Sequence, residues 1–467
     1  MSEPVQISPD EVRQCMDEES LRDWIAQQRW YASKSRAVTG VDIVEGLLLG
    51  DDPFMYLALV QTRFATGTHE SYQLPLALAP TGGATELPEP IARTDGWAAY
   101  DALSEPGRLV ELVLRMDDED EIEAAEGTFS FHRAAGPSSL SKGASARQMG
   151  VEQSNSSVVI EDQLALKLFR KLEPGINPEL EMLRFLSTHG FPNIATLHGW
   201  YDYDGHALAA TLGVAQQFLS DAVSGWELAL DEIQSSPESF LERLGSLGEV
   251  TARMHTVLAS DAGDPAFSPE EPSQEALSLL TATIDEDIEW IFLRLPDDER
   301  VAPIAGRGQD VRERLAARAH IGVSGRVIRT HGDYHLGQTL YTPGGWVIID
   351  FEGEPARPLP ERRQKRSPLR DVASMLRSFA YVSSAVELLK RGQLLPGFEQ
   401  RARERFLERY FAEIDPTLLP HGEAAVRNLL TIFELEKAIY ELRYELDNRP
   451  DWISIPVAGI SRLLEAE

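Results

Sequence analysis

The chain has 467 residues, a single cysteine and a formal net charge of −31 at pH 7. The lone Cys15 excludes a disulfide within the chain, and the acidity argues against nucleic acid and anionic membranes as partners, because both attract basic surfaces. No run of about 18 apolar residues predicts a membrane span, and the N-terminus has no secretory signal pattern, so we expect a cytoplasmic protein. The acidity fits either salt adaptation or simple solubility, and composition does not choose between them.

Residues 1–92 are predicted to form a separate N-terminal module. Tryptophan and tyrosine residues near its start lead into strand-like runs at 47–49 and 56–60, and a stretch rich in proline and glycine at 79–90 ends it. We expect these aromatic side chains to pack in a core and not to form a platform for a sugar.

Residues 93–218 are predicted to form a small β-rich lobe. Three short runs in it are typical of strands, and the last two of a hairpin: 128–131, 157–160 and 164–169. Lys167 lies between two leucines in the last run. Because a buried lysine is costly unless it is paired, we expect Lys167 to meet a phosphate and a carboxylate, although a lysine at a strand edge that reaches solvent fits the same pattern.

Residues 219–467 are predicted to form a helical lobe, and the segment 331–350 carries its chemistry. The segment reads HGDYHLGQTLYTPGGWVIID. Two strand-like runs on either side of the Pro-Gly-Gly turn predict a hairpin. Closing that hairpin brings Gln338 and Asp350 to the same end, beside Asp333.

These three side chains are the parts that phosphoryl transfer requires. Asp333 is predicted to orient an attacking hydroxyl and to accept its proton late, while Gln338 and Asp350 hold Mg²⁺. His331 is expected to fix the turn by hydrogen bonding, and His335 either supports the loop or meets the phosphate. An isolated aspartate is usually only a turn former, but turn chemistry does not require the other two residues. The segment therefore predicts a kinase for a small hydroxylated substrate.

Asp371 follows this segment and is predicted to lie at the start of a helix. We expect it to brace the catalytic loop, with helix capping alone as the alternative. The stretch 357–370 before it is the only dense basic cluster of the acidic chain. Its expected role is to balance nearby acidic surface and to order the rim of the active site.

The last long helix and the residues after it are predicted to supply sugar specificity. A stripe of apolar residues at helical spacing is expected to be core: Val426, Leu430, Phe433, Tyr440 and Tyr444. A carbohydrate site needs polar groups for the hydroxyls and an aromatic face for the ring. The candidate substrate-binding residues are Glu354, Arg443, Asp451 and Trp452.

Four segments resemble the maltokinases, within the aminoglycoside-phosphotransferase branch of the protein-kinase-like fold: HGDYHLGQ, IIDFEGEP, SPLRDVASMLRSFAY and EKAIYELRYELDNRPDWISIP. The resemblance extends from Leu21 to Ile460. It implies an α+β, bilobal protein-kinase-like fold with an extra N-terminal cap subdomain. It also implies phosphorylation of maltose by ATP at the anomeric hydroxyl, which gives maltose 1-phosphate for α-glucan (glycogen) synthesis, beside a trehalose-converting enzyme. Gln338 replaces the asparagine of the wider kinase pattern, as in maltokinases.

The same resemblance implies a nucleotide site in the small lobe, with ATP and Mg²⁺ as cofactors. Lys167 would pair with a glutamate of the following helix, which offers Glu179 and Glu181, and we expect Glu181. A turn rich in serine and asparagine would cradle the phosphates in place of a glycine-rich loop, and backbone groups at the end of the lobe would meet the adenine. These residues are Ser154, Asn155, Ser156, Gln217 and Leu219.

Three alternative functions remain open. A glucosamine or other amino-sugar kinase would suit an acidic pocket, because an ammonium group needs carboxylates. An aminoglycoside kinase is disfavoured by the maltokinase-like C-terminus. A non-catalytic scaffold that binds nucleotide or glucan is disfavoured by the four residues that catalysis requires: Lys167, Asp333, Gln338 and Asp350.

Overall fold

The computed structural model describes residues 8–50, 55–81, 89–134, 136, 138–150, 154–319, 325–388 and 397–465. The chain forms two compact units, Met1–Arg184 with Ala195–Ser220 and Phe185–Ile194 with Asp221–Glu467. The first unit contains two antiparallel sheets and the second is mainly helical, which confirms the predicted α+β class. The division of the chain at residues 92 and 218 stays a prediction.

The first unit contains four helices, the last of which ends in the second unit, and thirteen strands among the described residues. The helices are α1 Pro9–Cys15, α2 Glu18–Gln27, α3 Val110–Asp118 and α4 Pro178–Thr188. The strands are β1 Val38–Leu49, β2 Met55–Phe64, β3 His69–Pro80, β4 Ala92–Arg93, β5 Trp97–Asp101, β6 Glu121–Glu123, β7 Gly127–Arg133, β8 Ala146–Met149, β9 Ser156–Ile160, β10 Leu164–Leu168, β11 Lys171–Leu172, β12 Leu197–Gly205 and β13 Ala209–Gln217. One sheet has the order β1-β2-β3-β5-β4 with β11 beside β3, and the other the order β6-β7-β12-β13-β10-β9-β8.

The first sheet and the two N-terminal helices share one apolar core. Helix α2 places Leu21 and Ile25 in it, four residues apart on one helix face. Trp30 and Tyr31 are buried there, and each lies with its ring centroid 5.6 Å from that of Tyr72. These two aromatic residues are therefore core, as predicted. They pack against apolar side chains of the long strands β2 and β3.

The second sheet contains the predicted strands of the small lobe. β9 and β10 form the expected hairpin, with Leu166 opposite Val158, and β7 covers the predicted run at 128–131. The turn between β9 and β10 places Glu161 and Asp162 at φ values of 50° and 49°, which suits a tight hairpin turn. Burial alternates along β10, so the strand presents one face to the core and the other, with Lys167, to its opposite side.

The second unit contains one short three-stranded sheet and nine further helices among the described residues. The strands are β14 Val223–Ser224, β15 Thr339–Thr342 and β16 Gly345–Ile348. The helices are α5 Gly225–Ser235, α6 Pro237–Leu258, α7 Gln274–Phe292, α8 Gly308–Arg318, α9 Leu359–Arg362, α10 Leu369–Leu388, α11 Phe398–Glu413, α12 Glu423–Asn448 and α13 Ser454–Glu465. Nowhere in the described part of the chain is a helix both long and apolar enough to cross a membrane.

Close packing of α6 and α11 positions part of the site. At Gly248 of α6 a Cβ atom would lie 2.3 Å from the carbonyl oxygen of Phe406 in α11. Any side chain there would force the helices apart, so glycine permits their approach. The approach brings His255 of α6 to the hydroxyl of Tyr410 of α11, at 3.0 Å from Nδ1.

The predicted apolar stripe of α12 is only partly core. Leu430 and Phe433 are buried, but Tyr440 and Tyr444 have 44% and 42% of their surface exposed. The prediction that both tyrosines are core is therefore wrong. For Tyr440 the reason is that its ring lines a cavity, together with the more deeply buried Phe433.

Candidate active site

The catalytic segment of the second unit closes as a hairpin. β15 and β16 pair with Thr339 opposite Ile348, which confirms the predicted strand pairing. Gln338 precedes the first strand and Asp350 follows the second, so the pairing brings them together, with Gln338 Nε2 2.7 Å from Asp350 Oδ2. Amide and carboxylate oxygens are ligands that Mg²⁺ accepts, and rotation of the amide would present its oxygen instead of its nitrogen.

Asp350 has an unusual backbone conformation. Its φ is 64°, in the left-handed region, which costs a residue other than glycine about 1–2 kcal/mol. The backbone N–H of Ile349 donates to the carbonyl of Gln338 at 3.1 Å and so fixes the end of the hairpin. Strain of this kind persists where the surrounding structure holds a side chain in a required direction.

Asp371 fixes the backbone of the loop that precedes Asp333. It is fully buried in the first turn of α10, where its carboxylate accepts hydrogen bonds from the backbone N–H groups of His331 at 2.8 Å and Gly332 at 3.0 Å. His255 Nε2 lies 3.1 Å from the same carboxylate. Burial acts to raise the pKa of Asp371, but the hydrogen bond and charge of His255 and the loop N–H group outweigh it, so the pKa is lowered.

His255 was not predicted from the sequence. It is fully buried and lies 116 positions before Asp371 in the chain, within an ordinary amphipathic helix. A histidine at a buried helix position is a weak signal, since such residues usually satisfy core hydrogen bonds. Only the packing of α6 against α10 and α11 shows that it supports the catalytic loop.

The two histidines of the catalytic segment make local hydrogen bonds. His331 Nε2 donates to the carbonyl of Ile349 at 2.9 Å, and its Nδ1 accepts from the N–H of Asp333 at 3.4 Å. The ring thus links the turn at Asp333 to the end of the hairpin. His335 Nδ1 accepts from the N–H of Gly337 at 3.0 Å, and its Nε2 lies 3.9 Å from Asp333.

Lys437 lies between the predicted catalytic aspartate and Glu354. Its Nζ atom is 3.6 Å from Asp333 Oδ1 and 3.5 Å from Glu354 Oε1. Burial acts to lower the pKa of Lys437, but the two carboxylates outweigh it, and the pKa is raised. Burial likewise acts to raise the pKa of Glu354, while Lys437 and Arg357 bring about a net lowering. The site therefore holds charged groups of both signs in contact.

Sequence reasoning missed Lys437, although one signal was present. It is the single lysine of α12, a helix rich in glutamate, and it precedes Tyr440 by three positions, so both share one helix face. Its ammonium group lies 5.0 Å from the centroid of the Tyr440 ring. Tyr440 also lines the cavity that contains Glu354, which makes it a candidate aromatic face for a sugar.

The first unit contains the ion pair predicted for the nucleotide site, with a different partner. Lys167 Nζ lies 2.7 Å from Glu179, so the prediction of Glu181 is corrected to Glu179. Side chains two positions apart in a helix point about 200° apart, so Glu179 faces the strand and is almost fully buried, whereas Glu181 is half-buried on another side of α4. The side chain of Asn177 accepts from the Glu179 N–H at 2.8 Å and fixes the helix start.

The predicted phosphate turn is described in part, because residues 151–153 lie outside the described residues. Ser154 is exposed and Asn155 is buried. Ser156 begins β9, and its hydroxyl accepts a hydrogen bond from Arg170 at 2.8 Å; Arg170 in turn pairs with Asp101. The Ser156 hydroxyl therefore takes part in a hydrogen-bonded chain with Arg170 and Asp101 inside the first unit.

The end of β13 holds the residues predicted to meet adenine. Gln217 is its last residue, with an exposed side chain whose amide oxygen accepts from the Thr196 hydroxyl at 3.3 Å. The side-chain amide of its neighbour Gln216 donates from Nε2 to Glu179 Oε1 at 3.4 Å. Leu219 follows β13 and is half-buried.

The four predicted sugar-binding residues each contact a different partner in the second unit. Glu354 contacts Lys437, as described above. The guanidinium group of Arg443 lies 4.6 Å from the ring centroid of Trp290, and Trp452 stacks on Tyr381 at 6.4 Å. Asp451 is almost fully exposed, 3.5 Å from Arg300. The sugar-binding role of Arg443, Asp451 and Trp452 stays a prediction.

Two family models match the chain. The model described as the phosphotransferase enzyme family matches residues 140–380, and the model described as the maltokinase N-terminal cap domain matches residues 24–104. The first of these covers more than half of the chain and includes both the Lys167 strand and the catalytic segment.

Similar proteins are named glucosamine kinases. One from Mycolicibacterium smegmatis is 26% identical over 334 residues, which cover 68% of this chain and 79% of that protein. One from Streptacidiphilus jiangxiensis is 25% identical over 330 residues, covering 67% and 72%. A glucosamine kinase crystal structure matches with a TM-score of 0.73 at 18% identity over 98% of this chain and all of that chain, which establishes likeness of fold.

A second glucosamine kinase structure, in complex with glucosamine, ADP and inorganic phosphate, matches with a TM-score of 0.68 at 19% identity over 94% of this chain and 98% of that one. The sheet that carries Lys167 and the hairpin that joins Gln338 to Asp350 both lie within the region that the phosphotransferase model matches. The chain belongs to the phosphotransferase enzyme family, as a kinase-like member that carries a maltokinase N-terminal cap domain.

Proposed function

We propose that this protein uses ATP to phosphorylate maltose at its anomeric hydroxyl, giving maltose 1-phosphate for α-glucan synthesis. Membership of the phosphotransferase family supports the reaction type, and the maltokinase cap domain supports the acceptor. The observation that carries the choice of a neutral sugar is the position of Lys437 between Asp333 and Glu354. From the maltokinase resemblance we also propose a functional link to a trehalose-converting enzyme.

In the proposed reaction Asp333 orients the acceptor hydroxyl and takes its proton as the new bond from that oxygen to the γ-phosphorus forms, while the bond from the γ-phosphorus to ADP breaks and ADP leaves. Its loop is held by the two backbone hydrogen bonds to Asp371 and by His331, so the carboxylate keeps its place without help from the substrate. Lys437 offers a positive charge on the acceptor side of the same carboxylate. Such pre-organisation lowers the cost of reaching the reactive geometry.

Gln338 and Asp350 are the residues that would hold Mg²⁺. They fit the ion, since both carry oxygen atoms and already lie in contact, and Asp350 is held in a strained backbone conformation. When bound, the ion supplies positive charge that offsets the charge on the transferring phosphoryl group. Pairing of β15 with β16 holds the two side chains next to each other and so fixes where the ion would bind.

Lys167 would contact the phosphates of ATP while Glu179 holds its ammonium group in place. Such a pair fixes the position of the lysine ammonium group, whose charge and N–H donors suit phosphate oxygens. We propose that Ser154 and Asn155, at the turn before β9, meet the phosphates, and that the backbone near Gln217 and Leu219 meets the adenine.

Charge at the acceptor site favours maltose over glucosamine. An amino sugar brings an ammonium group, and two such charges about 4 Å apart repel by about 4 kcal/mol at an effective dielectric constant near 20. Lys437 already places a positive charge between the carboxylates of Asp333 and Glu354, so a second cation there would meet that repulsion. A neutral disaccharide meets no such penalty, and its second ring can use the exposed face of Tyr440.

The second candidate is a glucosamine kinase, which the names of the relatives favour. Both candidates share the transfer chemistry and differ in the acceptor. The test is coupled ATP turnover with Mg²⁺ across maltose, glucose, glucosamine, trehalose and an aminoglycoside, with Asp333→Asn as the control for catalysis. Turnover that depends on maltose and is lost in Asp333→Asn supports the proposal. Turnover with glucosamine alone would replace maltose as the acceptor and keep the mechanism, and binding of nucleotide without transfer to any acceptor would contradict both.

A further inference from the structure

A cavity of about 70 Å³ lies in the second unit beside the candidate acceptor site. Glu354, Lys437 and Tyr440 line its side towards Asp333. Four arginines also line it, Arg357, Arg362, Arg366 and Arg370, and all belong to the dense basic cluster of the sequence. In a chain with a net charge of −31, four arginines around one small cavity are unexpected.

Arg357 and Arg370, the neighbours of Arg366 in this cavity, have carboxylate partners. Arg357 is hydrogen-bonded to Glu354 and lies 3.4 Å from Glu361. Arg370 pairs with Glu436 at 2.6 Å. A fourth carboxylate of the cavity wall, Asp371, is committed to the catalytic loop and His255, as described above. Every carboxylate that lines the cavity is thus already engaged.

Arg366 differs from its two neighbours. Within the part of the chain that the structure describes, its side chain donates to the neutral amide oxygen of Gln364 at 3.1 Å and forms no ion pair. Its backbone pairs in both directions with Ile328, which fixes where the side chain starts. Burial lowers the pKa of Arg366, and repulsion from Arg370 and Arg357 lowers it further, to about 10. The cavity therefore has positive charge that its own carboxylates do not balance.

We propose that this cavity binds a phosphate group, with Arg366 as the main anchor and Arg357 and Arg370 beside it. A guanidinium group offers paired N–H donors that match two phosphate oxygens, and a phosphate dianion would relieve the repulsion among the three arginines. The phosphate has two possible sources with the same chemistry, namely free inorganic phosphate and the phosphoryl group of a sugar phosphate. None of the residues that line the cavity is among those proposed to hold ATP, and the inference does not depend on the identity of the acceptor.

The test is phosphate binding by isothermal titration calorimetry at constant ionic strength, with a saturating non-hydrolysable ATP analogue present so that phosphate cannot report on the nucleotide site. Arg366→Gln should bind inorganic phosphate about tenfold more weakly than the wild-type protein, because it loses charge-assisted hydrogen bonds. Arg366→Lys should lie between the two, because it keeps the charge and loses the paired donors. Arg326→Gln is the matched control, since Arg326 is an exposed arginine paired with Glu271 at 3.1 Å and does not line the cavity.

A parallel titration with glucose 1-phosphate identifies the source. Binding of inorganic phosphate that depends on Arg366 assigns the site to free phosphate, and Arg366-dependent binding of glucose 1-phosphate alone assigns it to a sugar phosphate. The proposal is overturned if neither ligand binds the wild-type protein more tightly than chloride does. It is equally overturned if Arg366→Gln and Arg326→Gln bind as the wild type does.

A second measurement keeps the proposal testable if the variants fold poorly. The wild-type protein is modified with phenylglyoxal, with and without inorganic phosphate or glucose 1-phosphate, and the modified arginines are mapped by peptide mass spectrometry. The proposal expects either ligand to slow modification of Arg366 and to leave Arg326 unaffected. Equal rates at Arg366 with and without both ligands would contradict it.

Discussion

The two lysine sites described above, at Lys167 and Lys437, differ in the distance between the lysine and its carboxylate partners. In the first unit, Lys167 and Glu179 form a close pair at 2.7 Å with almost no exposure of the glutamate. In the second unit, Lys437 is shared between Asp333 and Glu354 at 3.6 and 3.5 Å. A direct pair positions one group permanently, whereas a shared cation at longer range leaves both carboxylates able to accept a further hydrogen bond. The difference agrees with the proposed roles, in which Lys167 contacts a phosphate of ATP and the cluster around Lys437 binds the acceptor hydroxyl.

Replacement of Asp333, the proposed catalytic carboxylate, should have the largest effect. Asp333→Asn keeps the shape of the side chain and removes the proton acceptor, so we expect turnover to fall by about a thousandfold, within the range of general-base catalysis. Coupled ATP turnover measures it, and Asp310→Asn, at an exposed aspartate paired with Arg307, is the matched control. Turnover of Asp333→Asn within about threefold of the wild type would remove Asp333 from the role of base.

Removal of the loop support should affect stability and turnover together. Asp371→Ala leaves the N–H groups of His331 and Gly332 and the ring of His255 without their partner, and we expect about 3 kcal/mol of lost unfolding free energy. Urea unfolding measures the loss. The Asp371 carboxylate with its lowered pKa stabilises the fold above the ordinary value of 3.8, and this contribution is lost as the pH falls through the folded-state pKa.

The stability gap between the wild type and Asp371→Asn should therefore narrow on acidification below about pH 4. Urea unfolding series at several pH values measure that gap. A gap that stays constant across the acidic range would show that Asp371 contributes through packing and not through its charge.

Breaking the close pair should change the use of ATP. Glu179→Gln removes the charge that holds Lys167, so we expect the KM for ATP to rise about tenfold with a smaller change in the KM for the acceptor. Glu181→Gln, two positions along the same helix, is the matched control because the structure pairs Lys167 with Glu179. Equal effects of the two variants would show that both glutamates contribute to the lysine site.

Removal of the shared cation should change the choice of acceptor. Lys437→Gln leaves Asp333 and Glu354 without their common cation, so we expect the ratio of kcat/KM for glucosamine to that for maltose to rise about tenfold. Steady-state kinetics with both sugars measure this ratio, and Lys171→Gln, at an exposed lysine of the first unit, is the control. An unchanged ratio would contradict the charge argument for a neutral acceptor.

The smallest effect is expected for the aromatic face. Tyr440→Ala should raise the KM for maltose about fivefold, because a ring that stacks on a sugar contributes about 1 kcal/mol. Asp451→Ala and Trp452→Ala test the sugar-binding role predicted from the sequence at the far end of α12. A larger rise in these two variants than in Tyr440→Ala would place the sugar at that end.

Local patterns predicted the parts of the site that lie within short stretches of chain. The hairpin of β15 and β16 and its ligand pair at Gln338 and Asp350 depend on alternating strand residues and a Pro-Gly-Gly turn, which act over about twenty positions. The strand with Lys167 likewise follows from its own alternation. The choice between Glu179 and Glu181 failed because it depends on how α4 is rotated about its axis, and tertiary packing sets that rotation.

By itself the sequence determined the phosphotransferase class, the hairpin of β15 and β16, the β-rich and helical regions and the core role of Trp30 and Tyr31. Tertiary structure alone decided that His255 supports the catalytic loop through Asp371, that Lys437 lies beside Asp333 and that Tyr440 faces a cavity. The physical reason is separation along the chain. Short-range backbone preferences bring near neighbours together, whereas residues a hundred positions apart meet only when apolar faces of distant helices pack against one another.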